Sequence, residues 1–226
     1  MSKFKAWIDK ELRAGIQQRS PVPGGASMFL EAKPDGRICP LVDLRFRNDN
    51  TVADHSQIPN QQPILQAVAR GKYRSKIDLG DAYFQTRVHP DDVKYNTINT
   101  SFGRFMSPVM MQGDMNNPAT FVKIIEDLLH EELGKFIWIY IDDIFIFSDS
   151  FEKHIEHVEH ACRKLKDHKF YANPKKGVFF AAKLDIVGQL IDDKDIHPVP
   201  EKIRSIMDWT RSNNQNELQK FKEMVN

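Results

Sequence analysis

Hydrophobic positions change period several times along the chain, and each change predicts an element. Phe4, Trp7, Ile8, Leu12 and Ile16 recur at helical spacing, and Pro21, Pro23, Gly24 and Gly25 end that helix in a loop. Met28–Ala32 and Ile38–Leu44, separated by Lys33-Pro34-Asp35-Gly36, predict a β-hairpin. Pro40 confines its second strand to an edge or a bulge. A short helix is predicted over Pro63–Arg70, with Ile64, Leu65 and Val68 on one face. Strands are predicted over Lys76–Leu79, Tyr83–Val88 and Tyr95–Asn99. Asn117 reads as an N-cap with Pro118 at the first helical position, opening a helix to about Glu132 that Gly134 ends. Two apolar runs, Phe136–Ile141 and Ile144–Phe147, flank Asp142-Asp143. A long helix over Phe151–Lys169, strands near Val178–Phe180 and Leu184–Ile191, and two short helices in Pro200–Asn226 complete the pattern. Helices mixed with hairpins indicate an α+β fold, not a doubly wound parallel sheet.

Composition narrows the class. The chain has 226 residues, 41% hydrophobic and 28% charged, enough for a core and a soluble surface. Its longest apolar run, Phe136–Ile141, is far shorter than the ~20 residues of a membrane span. The N-terminus has no apolar core of a secretory signal, and Cys39 and Cys162 make no disulfide framework. An intracellular, non-secreted protein is expected. The net charge of +1 hides a gradient: +6 over residues 1–77, −7 over 78–150 and +2 over 151–226. A basic front suits phosphate binding and an acidic middle suits cations.

The chemistry concentrates in FIWIY-IDD-IFIFS. Two β-prone runs joined by acids predict a tight hairpin, and Asp-Asp is compatible with a plain polar turn. Both runs lack polar alternation, however, so both strands read as buried on two faces. Adjacent carboxylates at a buried tip repel each other unless cations neutralise them. Asp78, in KIDLGDAYF, ends another apolar-flanked strand. Carboxylates from separate strands are what two-metal phosphoryl chemistry requires. Other features have plainer readings. His154, His157 and His160 read as a solvated helix face, since zinc ligands on a helix favour i, i+4 spacing. Trp138, the many Phe residues and Cys162 read as core. Lys175-Lys176 suits either a phosphate contact or an ordinary surface.

Four blocks in order, YRSKIDLGDAYFQTRV, MQGDMNNPATF, YIDDIFIFS and IVGQLIDDKDIHPVPEKIRSIMDW, carry a resemblance. The chain resembles the reverse transcriptase domain of gypsy-type long-terminal-repeat retrotransposons, especially fungal ones, and more distantly the retroviral enzymes. The resemblance implies a right-hand polymerase fold: fingers at 1–53 and 86–115, palm at 54–85 and 116–197, and the start of a truncated thumb at 198–226. It implies RNA-directed DNA polymerisation with two Mg²⁺ ions, Mn²⁺ being possible. The implied partners are an RNA template, a DNA or RNA primer and deoxynucleoside triphosphates, with no membrane.

By the same resemblance Asp78 and Asp142 ligate both metals, Asp143 completes the carboxylate set, and the Leu79 carbonyl is a further ligand. Lys33, Asp81 and Ala82 meet the triphosphate, Tyr83 lies under the incoming sugar, and Gln112 and Gly113 sit beside the nucleotide. Tyr140, Lys176 and Gly188 fall at nucleic-acid-contacting positions, and Arg45 falls at that of a fingers arginine that is structural or template-facing. The chain departs from the pattern at Cys39, where the family has a phosphate-clamping arginine. Arg37, two residues away on the same strand face, is the candidate replacement. FKEMVN replaces the usual Phe-Leu-Gly. These departures keep two other classes open: a catalytically weak remnant that binds RNA or a protein, and a template-independent nucleotidyl enzyme.

Overall fold

A computed structural model describes residues 2–32, 38–54, 60–193, 195–209 and 214–225. The first half runs α1 (Ser2–Ala14), β1 (Gln18–Arg19), β2 (Ala26–Ala32), β3 (Ile38–Val42), α2 (Arg45–Asp49), α3 (Gln61–Arg70), β4 (Tyr73–Asp78), β5 (Thr97–Thr100) and β6 (Gly103–Met106). The second half runs α4 (Asn117–Leu128), β7 (Ile137–Tyr140), β8 (Asp143–Ser148), α5 (Phe151–Asp167), β9 (Val178–Ala181), β10 (Leu184–Ile186), β11 (Gln189–Ile191), β12 (Ile196–Pro198), α6 (Pro200–Met207) and α7 (Gln215–Val225). The chain folds into two compact units. Unit 1 comprises residues 1–58, 79–128 and 165–171; unit 2 comprises 59–78, 129–164 and 172–226.

Unit 1 is built on a five-stranded sheet in the order β1-β6-β5-β2-β3, antiparallel except for the β2–β5 pair. β3 lies at the sheet edge, the place in a sheet where a proline such as Pro40 is tolerated. Gly25, at φ +128°, precedes the β2–β5 pairing, and a Cβ there would stand 2.8 Å from the Thr97 backbone. Only glycine fits that approach. Phe4 and Ile8 of α1 close the core over Leu44, Ile98, Phe105 and Met111. The turn expected at Lys33–Gly36 lies outside the described residues.

Unit 2 holds a four-stranded antiparallel sheet, β7-β8-β4-β9, and a three-stranded one, β10-β11-β12. Ile64, Leu65 and Val68 of α3 bury against Phe145 of β8 and against Leu184, Ile186 and Ile191, joining the two sheets in one core. Arg74 is 1% exposed in this core. Its guanidinium donates to the carbonyls of Val68 (3.1 Å), Ala69 (3.2 Å), Ala182 (2.8 Å) and Asp192 (3.2 Å), and to Asp193 Oδ1 (3.0 Å). A buried charge is tolerable only with its donors so matched.

Several expectations shift. Tyr83–Val88 is not a strand: Ala82–Gln85 is a 3₁₀ turn, with Phe84 N–H donating to Asp81 O (2.9 Å) and Thr86 N–H to Tyr83 O (3.1 Å). Asp81 starts it at φ +51°, a conformation Asp tolerates through its short polar side chain. α4 stops at Leu128, where Glu132 N–H turns to the Leu129 carbonyl (3.0 Å) and the Glu132 carbonyl in turn accepts from the Lys135, Phe136 and Ile137 N–H groups that lead into β7. Leu184–Ile191 is a hairpin, with Val187 and Gly188 both at positive φ in a two-residue turn.

The histidines of α5 differ most from expectation. His154 is wholly buried, not solvated. It lies seven and eleven residues before Ala161 and Leu165, both buried, so it shares the inner stripe of the helix. His160 Nε2 pairs with Glu132 Oε1 at 2.6 Å. Cys162, expected in the core, is exposed on the outer face of α5. Phe46 is 82% exposed, so the phenylalanines are not uniformly core.

Candidate active site

Strand register builds the acidic cluster. β4 and β8 pair antiparallel with Asp78 directly opposite Asp143. β7 and β8 pair with Tyr140 opposite Asp143, so the hairpin turn is Ile141-Asp142, one residue earlier than the expected Asp142-Asp143. Ile141 sits at φ +53°, a left-handed conformation that costs a β-branched residue roughly 1–3 kcal/mol. That turn places Asp142 at the tip and returns Asp143 to the ladder. Three carboxylates thus come from two strands and one turn.

The electrostatics match the geometry. Burial, followed by the charges of Asp143 and Asp78, pushes the Asp142 carboxyl above its ordinary value, with Lys176 opposing. Burial also raises Asp143, offset mainly by its hydrogen bond to Lys76. Lys76 Nζ lies 2.6 Å from Asp143 Oδ2. Lys176 Nζ lies 3.5 Å from Asp78 Oδ2. Asp78 Oδ1 and Asp142 Oδ1 are buried with no hydrogen-bond partner among the described residues. Buried polar atoms are nearly always paired, so these two await a ligand. Among the described residues no three acidic, histidine or cysteine side chains already converge as a metal cage. The donors nevertheless fit a hard divalent cation, which takes carboxylate oxygens and keeps several waters.

A groove of about 390 Å³ beside the cluster is lined by Lys76, Asp143, Lys176, Lys183, Asp185 and Gly188. The structure therefore gathers Asp143, Lys176 and Gly188, three of the expected positions. Gly188 N–H donates to Asp185 Oδ1 at 3.1 Å, and its carbonyl accepts from Val199 N–H at 3.2 Å, which fixes this turn. The Tyr140 hydroxyl accepts from Gln61 Nε2 at 2.8 Å, and its ring packs on the unit 2 core. Lys183 is a cation the sequence did not single out. Only the β10 hairpin, hidden in an apparently continuous strand, brings it to the groove.

The remaining expected positions lie in unit 1. Leu79 and Ala82 are buried, and Tyr83 stacks edge-on against Phe121 at 5.9 Å. Bonds from Met110 N–H to Thr86 O and from Val88 N–H to Pro108 O, both 3.0 Å, tie the segment after the Asp81–Tyr83 turn to the segment leading to Gln112. Gly113 turns at φ +97°, and its carbonyl accepts from Asn48 Nδ2 at 2.9 Å. Arg47 pairs with Asp114 and with Asn96 Oδ1 (2.5 Å), so α2 clamps this loop. Neither Arg47 nor Asn48 stood out in the sequence. Arg45 is exposed and forms a two-pronged pair with Asp43 (2.7 and 2.8 Å), which holds the Asp43 carboxyl down at about 2. Lys33 and Arg37 lie outside the described residues.

Comparison with known proteins decides the family. Residues 32–218 match the family model described as reverse transcriptase (RNA-dependent DNA polymerase). The chain belongs to this family. Relatives include the retrovirus-related Pol polyprotein from transposon opus of Drosophila melanogaster, 26% identical over 96% of the chain and 22% of that protein. The transposon Tf2-3 polyprotein of Schizosaccharomyces pombe is 27% identical over 97% of the chain and 16% of its own length. The chain thus spans about a fifth or less of these relatives. The resemblance to long-terminal-repeat retrotransposon reverse transcriptases is borne out. The foamy viral protease-reverse transcriptase superposes with a TM-score of 0.88 in a complex with double-stranded DNA, at 22% identity over 99% of the chain and 39% of that one. It superposes at 0.85 in a complex with an RNA/DNA hybrid, at 23% identity over 97% and 29%. The expected right-hand polymerase fold is confirmed. Among the described residues no helix is long and apolar enough to cross a membrane.

Proposed function

We propose that the chain is an RNA-directed DNA polymerase domain that joins a primer 3′-hydroxyl to the α-phosphate of a deoxynucleoside triphosphate, releasing pyrophosphate. One observation carries this reading: β4–β8 register sets Asp78 opposite Asp143 beside Asp142 at the tip, with two buried carboxylate oxygens left without partners. Asp78 and Asp142, with the Leu79 carbonyl, would hold two Mg²⁺ or Mn²⁺ ions. When bound, such ions lower the pKa of the attacking hydroxyl and offset charge on the phosphoryl group.

The chain's own residues supply the rest. Tyr83, edge-on to Phe121, presents its ring to the incoming sugar. The backbone N–H groups of Asp81 and Ala82 meet the triphosphate, with Lys33 and Arg37 as further cations and Gln112-Gly113 alongside. Arg45, Tyr140, Lys176 and Gly188 contact template and primer, the last two from the 390 Å³ groove. In this reading 1–53 and 86–115 form the fingers, 54–85 and 116–197 the palm, and 198–226 the start of the thumb. The neighbours' nucleic-acid complexes support these partners.

Primer extension on an RNA template with Mg²⁺ tests the proposal. Incorporation that needs both template and cation supports it. Tight binding of an RNA–DNA duplex with no incorporation points instead to a binding remnant. Turnover without a template points to the third class.

A further inference from the structure

Two lysines face the three carboxylates, and they are not equivalent. Lys176 is 65% exposed and 3.5 Å from Asp78. Lys76 is 23% exposed and 2.6 Å from Asp143 Oδ2, and its Nζ lies 5.9 Å from the centre of the Phe145 ring. Strand geometry explains its fixed place. Lys76 precedes Asp78 by two residues on β4, so both project from one face, and its register partner Phe145 follows Asp143 by two on β8. The oxygens of the three acids divide in the same way. Asp78 and Asp142 each keep a buried oxygen without a partner among the described residues, and Asp143 keeps none.

We infer that Lys76 is a positioning residue for Asp143, holding its Oδ2 while the unpartnered buried oxygens of Asp78 and Asp142 are left to grip a cation. The inference rests on the polymerase reading above. Three free carboxylates would hold a divalent ion tightly before any substrate arrived. With Lys76 pinned to one of them, the site keeps a lower negative charge, and firm cation binding waits for the phosphates of the nucleotide. Asp143 meanwhile stays fixed in the ladder, oriented by a charge-assisted hydrogen bond.

The test compares the wild-type 226-residue chain with Lys76→Met and Lys76→Arg. Mn²⁺ affinity without substrate is read by electron paramagnetic resonance, and primer extension is read as kcat and KM. Lys76→Met is expected to bind Mn²⁺ roughly tenfold more tightly, because one nearby positive charge is gone. It should also lose roughly tenfold in kcat with little change in the nucleotide KM, since Asp143 is no longer fixed. Lys76→Arg should restore both. If Lys76→Met does not fold, Lys76→Gln makes the same comparison.

Unchanged or weaker Mn²⁺ binding in the folded variant overturns the inference, since removing a cation that holds Asp143 leaves the acidic cluster more negative. A wild type that binds Mn²⁺ and extends primer, with a variant that matches it, removes the role of Lys76 and spares the polymerase. A wild type that neither binds nor extends, with a variant that binds, removes the polymerase reading and leaves the role of Lys76 standing. Failure of both to bind Mn²⁺ and to extend primer overturns both.

Discussion

The strand pair β4–β8 carries a polar cluster at each end, and the two ends are finished differently. Away from the acids, Ser75 Oγ lies 2.7 Å from His154 Nε2, while Ser148 Oγ lies 2.8 Å from both His154 Nδ1 and His157 Nδ1. Phe180 N–H donates to Ser75 Oγ at 3.1 Å. One neutral tautomer of His154 satisfies every partner: Ser75 donates to Nε2, Nδ1–H donates to Ser148, and Ser148 donates on to His157. Tyr73 and Phe180 rings close around His154. At the other end Asp78 and Asp142 retain unpaired buried oxygens. A fold able to satisfy a buried histidine completely has left two carboxylates wanting. The satisfied end holds the strands together; the unsatisfied end is where a ligand belongs.

The largest contrast comes from breaking each end in turn. Asp142→Asn should lower nucleotide incorporation roughly thousandfold, as expected for a lost metal ligand. Its melting temperature should hold or rise, because burial and two neighbouring carboxylates disfavour the ionised Asp142. His154→Ala should do the reverse, losing about 2–4 kcal/mol of stability through a cavity and unpaired serines. A denaturation series with extension assays on the folded fraction separates the two. An Asp142→Asn variant that unfolds, or a His154→Ala variant of normal stability, would erase the distinction between the ends.

Acid sharpens the contrast through opposite signs. Burial, with a smaller push from the charge of His157, holds the His154 ring down at about 4. The unfolded ring titrates near 6.5, so the unfolded chain takes the proton first. The contribution is complete above pH ~6.5 and is lost as pH falls toward 4, about 3 kcal/mol in all. Asp142 and Asp143 are raised, so their ionisation opposes folding, and that penalty fades on acidification. Between pH 6.5 and 4 the wild type should therefore lose stability relative to His154→Ala. Equal slopes in the two proteins would show that this histidine does not titrate with folding.

The smallest effect is expected at a pair that belongs to neither end. Arg45 and Asp43 meet with good geometry, yet Arg45 is fully solvated. Arg45→Ala should leave the melting temperature within experimental error, because water and salt screen exposed pairs. Weaker template binding with a shallower salt dependence is the effect to expect if Arg45 faces nucleic acid, because one fewer phosphate contact releases fewer counterions. A stability loss as large as that of His154→Ala would mean that the surface pair is structural.

Much of this was legible along the chain. The 3.6-residue repeat at Ile64, Leu65 and Val68 marked the buried face of α3, and the apolar runs around Asp142-Asp143 marked β7 and β8. Asp78 was found as a polar residue at the end of an apolar-flanked strand. Other features were not legible for identifiable reasons. The Ile141-Asp142 turn needs a β-branched residue at positive φ, a choice that local propensity argues against. The Val187-Gly188 turn was hidden because Val continues a strand pattern. His154 looked solvated because histidine is polar, whereas its burial depends on serines 79 and six residues away.

The sequence by itself determined the family, the α+β character and the identity of the acids, because hydrophobic period and a contiguous acidic motif are local properties of the chain. Only the tertiary structure decided how those acids are used. Register across β4 and β8 chose which carboxylate meets Lys76 and which two keep unpaired oxygens. Pairing of that kind is a long-range choice: a slip of one residue would turn Asp78 and Lys76 to the opposite face of the sheet.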